Sequence, residues 1–85
     1  MASTRDEICD RYPEEELLFA DGFDNCIIGV AYDFGNLRVV YSIPKMVETL
    51  FEDAGMPCDE AMDYLEFNTL NAWIGDQTPI YLNTY

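Results

Sequence analysis

Apolar and polar positions alternate most clearly in "CIIGVAYDFGNLRVVYSI", residues 26 to 43. Ile28, Val30, Tyr32 and Phe34 fall on one parity, Leu37, Val39, Tyr41 and Ile43 on the other. Gly35-Asn36 stands between them as a two-residue loop with Gly first, as a type II′ turn requires. That loop predicts the register Phe34↔Leu37, Tyr32↔Val39, Val30↔Tyr41 and Ile28↔Ile43, an all-apolar core face. Asp33 with Arg38, Ala31 with Val40 and Gly29 with Ser42 make a thin outer face.

Helical spacing follows. Pro44 suits a first helical turn and Gly55 a left-handed stop, with Pro57 beyond it. Between them Met46, Val47, Leu50, Phe51 and Ala54 form an inner stripe, with Lys45, Glu48, Glu52 and Asp53 outside. A last helix begins at Cys58 or Asp59. It carries one stripe of Ala61, Met62, Leu65, Thr69, Ala72 and Trp73. A second, nearly opposite, is Phe67, Leu70 and Ile74, with Tyr64 beside it. Two stripes predict a helix sandwiched between elements. Gly75 ends it, and "TPIYL" predicts a strand over 78–82. Upstream, Ser3 or Thr4 caps a short helix with Glu7 as capping-box partner, and Ile8 or Cys9 meets Tyr12. "PEEELLFADG" predicts a second short helix, its first turn holding Glu14, Glu15 and Glu16.

The order is therefore α-α-β-β-α-α-β. It describes an α+β fold with a three-stranded antiparallel or mixed sheet, the hairpin 26–43 plus strand 78–82, packed by helices. Eighty-five residues suit a single domain over 1–85, an acidic helical segment 1–25 joined to a core 26–82. An apolar share of 49%, with 14% aromatics, argues against disorder.

Charge changes the picture more than composition does. Seventeen acids face four bases, a net charge of −13. Such a chain repels nucleic acid and anionic membranes and favours basic surfaces as partners. Between Met46 and Gly75 there are seven acids and no base. Glu48 and Glu52 lie four apart on one helix; Asp59, Asp63 and Glu66 lie four and three apart on the next. Neighbours at this spacing repel by a few tenths of a kcal/mol, roughly 0.2–0.5 per pair. On geometry alone a solvated face accounts for them; as a site, they imitate the charge track of a nucleic-acid backbone.

Other chemistry is thin. Histidine is absent, which removes the commonest general base and any Ser-His or Cys-His nucleophile. "DFG" at 33–35 lacks every other kinase signature and reads as a hairpin tip. "DGFDN" lacks EF-hand spacing and reads as turn chemistry. Cys9, Cys26 and Cys58 are odd in number, have no paired spacing, and suggest reduced thiols without structural zinc. Catalytic residues, metal and cofactor are accordingly expected to be none. With no signal-peptide pattern and no long apolar run, a cytoplasmic protein is expected. Asn68 and Asn71, three apart in a greasy helix, are expected as internal ties to a strand edge or to the turn at 75–79.

"EFNTLNAWIGDQTPI" resembles a small tailed-phage protein family with the pattern E-F-N-x-x-x-A-W/Y-x-G-x-x-T-P-I. The matching positions are Glu66, Phe67, Asn68, Ala72, Trp73, Gly75, Thr78 and Pro79, and the likeness spans roughly residues 23 to 82. "YDFGNLRVVYSI" departs from that family's tyrosine-rich strand pair. The resemblance implies no catalytic residue. It implies a phage setting, where small acidic proteins often inhibit host machinery of the anti-CRISPR or anti-restriction kind. By that analogy Glu48, Glu52, Asp59, Asp63 and Glu66 are the expected partner-binding residues, with Glu14, Glu15 and Glu16 second. The partner would be the basic groove of a host nucleic-acid-binding protein in the bacterial cytoplasm. The alternative is a structural or accessory phage protein that self-associates through Tyr81, Tyr85 and the free edge of the C-terminal strand.

Overall fold

A computed structural model describes residues 4–20, 22–70 and 75–83. Its elements are α1 (Thr4–Arg11), a 3-10 turn (Asp24–Cys26), β1 (Ile27–Asp33) and β2 (Asn36–Ser42). After them come α2 (Ile43–Ala54), α3 (Cys58–Leu65), a π-helical turn (Glu66–Leu70) and β3 (Ile80–Leu82). The fold is α+β, with a mixed sheet in the order β1-β2-β3, antiparallel between β1 and β2 and parallel between β2 and β3.

The hairpin forms where the sequence places it, but its loop sits one residue earlier. Phe34 and Gly35 are the central residues, with φ of 50° and 82°, so the turn is of the type I′ kind. Moving the loop by one residue moves the pairing by two: Tyr32 faces Leu37, Val30 faces Val39 and Asp33 faces Asn36. The parity therefore survives and the partners change, but the β1 side of the expected core face does not hold: Val30 is half-buried and Tyr32 is 70% exposed. Phe34, expected opposite Leu37 in the core, is 100% exposed at the tip. A bulge between Ile27 and Gly29 then flips parity at the strand's start, so Ile27 faces Tyr41 and is buried while Ile28 turns outward. Asp33 and Arg38 still pair, at 2.7 Å, across the diagonal.

The expected second N-terminal helix does not form: residues 12–20 run as a turn followed by irregular chain. Three consecutive apolar residues, Leu17 to Phe19, suit no helical face. The core instead holds the segment, with Leu17, Phe19 and Ala20 packed on it and the Ala20 N–H donating to Tyr41 Oη at 2.8 Å. Tertiary contacts outweigh the weak helix propensity of so short a stretch. In α1, Ile8 is buried, Cys9 is exposed, and Tyr12 packs on the core; Ser3 lies outside the described residues.

α2 follows its sequence signals at Pro44 and Gly55, and Ser42, expected only on the hairpin's outer face, adds an N-cap. Ser42 Oγ accepts from the Lys45 N–H at 3.4 Å, Pro44 sits in the first turn, and Gly55 (φ 68°) donates to Phe51 O. Its buried face is rotated from the expected stripe. Met46 and Thr49 are inside, whereas Phe51 is 62% exposed and Ala54 is also outside. Thr49 explains the rotation: it donates to Lys45 O at 2.9 Å and meets Cys26 Sγ at 3.3 Å, which turns this face toward the 3-10 turn. Asn25 also reaches Thr49.

α3 buries Ala61 and Leu65 as expected, but the double stripe fails. The π-helical turn changes the phase of the side chains, so Leu70 packs on the core while Phe67 is 92% exposed. Asn71 to Ile74, including Ala72 and Trp73 of the expected stripe, lie outside the described residues.

Beyond them, Thr78 is buried and organises the turn into β3. Its Oγ1 accepts from the Gly75 N–H at 2.9 Å and donates to Gly75 O at 2.7 Å. Arg38 Nε donates to Thr78 O at 2.6 Å and Gln77 to Leu37 O at 3.3 Å, so the turn is stitched to β2. β3 then lays Tyr81 against Tyr41, ring centroids 5.7 Å apart.

Candidate functional site

Side chains with chemical potential divide into buried groups and exposed carboxylates. Tyr41 is fully buried, and desolvation pushes its phenol up to about 12 even though the Ala20 N–H favours the charged form. Burial likewise raises Tyr81. Burial raises the Cys26 thiol too, outweighing its hydrogen bond to Thr49, which holds it protonated and unreactive. Cys9 and Cys58 are exposed, and none of the three is bridged. These groups build the core and do not converge on a substrate.

Asn68 is not the internal tie its position suggested. It is exposed, and its Nδ2 donates to Tyr64 O at 3.0 Å, one turn back in the same chain segment. In a π turn the backbone bonds reach i−5, which disturbs the usual i−4 partners at the junction. The amide supplies a donor there, an account that needs no partner protein. Asn71 falls outside the described residues.

The carboxylates are where the sequence places them. Glu48 and Glu52 are exposed on α2; Asp59, Asp63 and Glu66 are exposed along α3 and its extension. α2 and α3 pack together across a three-residue connection, Gly55 to Pro57, so both rows belong to one helical layer. Asp59 and Glu60 lie in the first turn of α3, where the helix dipole welcomes them. Glu52 and Asp53 lie in the last turn of α2, which has no basic residue, and there the dipole opposes them.

Glu14, Glu15 and Glu16 are exposed but belong to the turn after α1 and not to a helix. Glu15 accepts from Gln77 Nε2 at 3.0 Å beside Leu37, so it also braces the C-terminal turn. They form a separate cluster. Sequence reasoning missed Thr49 and the exposed Phe67; no periodicity signal marks either, because both depend on how the helices are rotated.

No family model, curated protein or solved structure matches this chain. Its chemistry must be read from its own residues. Among those described, no helix is long and apolar enough to cross a membrane.

Proposed function

We propose that the chain is a non-enzymatic, phage-type inhibitor of a nucleic-acid-handling system, of the anti-CRISPR or anti-restriction kind. It acts in the bacterial cytoplasm by placing the α2–α3 carboxylates in a basic groove. The observation that carries this reading is the position of Glu52 and Asp53. Carboxylates needed only for solubility would be better tolerated at helix N-termini; these two sit where α2 disfavours them, beside the start of a second acidic helix. A basic groove would offset that repulsion and give association a steep salt dependence.

The test is a cleavage assay with a panel of restriction and RNA-guided nucleases. Inhibition of at least one enzyme is expected, weakening as salt rises and lost in the Glu52→Lys/Asp63→Lys variant with an unchanged circular dichroism spectrum. Inhibition that ignores both salt and the charge reversals would refute the mechanism.

Self-association is the second reading, favoured by the exposure of Phe34 and Phe67 at 100% and 92%. Its expected carriers have changed, since Tyr81 is half-buried against Tyr41 and Tyr85 lies outside the described residues. Light scattering on the purified protein separates the two: a monomer counts against self-association.

A further inference from the structure

β1 is an edge strand, paired with β2 on one side only among the described residues. Edges are usually blunted by charge, lysine or proline. From Ile27 to Tyr32 this edge has none of these; its one irregularity is the bulge at its start. Counting from the Asp33↔Asn36 pair that closes the turn, antiparallel alternation directs the backbone N–H and C=O of Val30 and Tyr32 away from β2.

Alongside the edge runs a groove of about 240 Å³ between β1 and α1. Ile28, Gly29 and Val30 form one wall, and Glu7, Ile8, Arg11 and Tyr12 the other. A methyl group built on Gly29 would meet no atom within 4 Å, so the sheet face above this residue is uncovered. An unpaired strand flanked by a helix and an apolar-floored groove is the arrangement that accepts an added strand.

We propose that the β1 edge binds an extended peptide segment of a basic partner, which adds as a fourth strand with alternate side chains in the groove. Charge selects this occupant over a second copy of the chain. Two chains of net charge −13 repel each other, whereas the same net charge attracts a basic segment; in the groove wall itself Glu7 and Arg11 offset one another. The surface is separate from the α2–α3 carboxylates, and the proposal does not rest on them.

The probe is a synthetic ten-residue peptide of alternating threonine and valine with two lysines at each end, titrated into the full chain. Binding should perturb the amide resonances of residues 28–33 and of α1. Methylating the peptide's alternate backbone nitrogens should weaken affinity at least tenfold, because the added ladder bonds are lost while charge is kept. Tyr32→Lys, at a position already 70% exposed, should weaken it similarly by repulsion and leave the fold intact. Three results would overturn the proposal: no binding, affinity indifferent to N-methylation, or perturbations confined to α2 and α3. A β1–β1 dimer in light scattering that excludes the peptide would also overturn it and assign the edge to a second copy.

Discussion

Phe34 at the hairpin tip gives the sharpest test of how this fold is held. Its φ is 50°, a left-handed conformation that costs a side chain with Cβ about 1–2 kcal/mol and that asparagine tolerates better. Nothing offsets that cost in packing, because the side chain is 100% exposed. Phe34→Asn would create Asn-Gly, the preferred central pair of a type I′ turn, and remove strain without removing contact. A gain of about 0.5–1.5 kcal/mol is expected, allowing for partial relief of the strain. For a domain of this size that raises Tm by roughly 4–8 °C per kcal/mol. Urea titration followed by circular dichroism should show a higher midpoint at an unchanged slope, since the buried surface is the same. Gly35→Ala, at φ 82°, is the reciprocal variant and should lose about 1 kcal/mol or more. If Phe34→Asn leaves the midpoint unchanged or lowers it, the type I′ assignment and the register built on it are wrong.

Further measurements address the core and the helices. Tyr41→Phe strands the Ala20 N–H and should cost about 1–3 kcal/mol at neutral pH. Because burial raises the Tyr41 phenol from 10 to about 12, the folded state keeps its proton where the unfolded chain has lost it. Wild-type stability from this group is therefore complete below pH 10 and falls by about 2–3 kcal/mol as pH climbs toward 12. Urea midpoints measured from pH 9 upward should decline less steeply in Tyr41→Phe; equal slopes would contradict the assignment. Glu52→Gln with Asp53→Asn should stabilise the fold by about 0.3–1 kcal/mol per site at low salt, a gain that shrinks in 1 M salt. A loss of stability would mean these acids have a structural partner. Asn68→Ala should stay within roughly 0.5 kcal/mol of wild type, since its bond is exposed and local. A cost well above that in chemical denaturation would restore the internal-tie reading.

What the sequence made legible was decided by how local each signal is. Pro44 and Gly55 fix α2 because such signals act within one turn, and the structure uses both; Ser42, expected only as a strand residue, adds the N-cap. The hairpin's existence is equally local. Its register is not, because Gly35 satisfies the first position of a type II′ turn and the second of a type I′ turn equally well. Only Phe34 adopting a positive φ decides between them, and propensity argues against that choice. "CII" carries apolar side chains on both parities, so a bulge that exchanges Ile28 for Ile27 leaves no trace in the pattern. "PEEELLF" has the acids and proline of a helix start; its irregular path is tied down at Ala20 by Tyr41, more than twenty residues downstream. The site carboxylates were readable as exposed positions on two helices. Whether they meet a partner was not, because solvation and recognition use the same spacing.

The distinction between those two uses lies in where the charges sit relative to the backbone. Asp59 and Glu60 stabilise α3 from its first turn, so selection for folding alone would keep them. Glu52 and Asp53 oppose the dipole of α2 and lie beside a helix that is itself acidic, so folding alone would favour lysine there. The chain has a single lysine, Lys45, and places it in the first turn of that same helix, the opposite end from where the dipole favours a cation. α2 is thus charged against its own macrodipole at both ends. Stability is the quantity this arrangement sacrifices. Acids held at that cost are the physical ground on which the proposed partner is assigned to these two helices and not to the Glu14–Glu16 turn, where Glu15 already has a structural task in bracing Gln77.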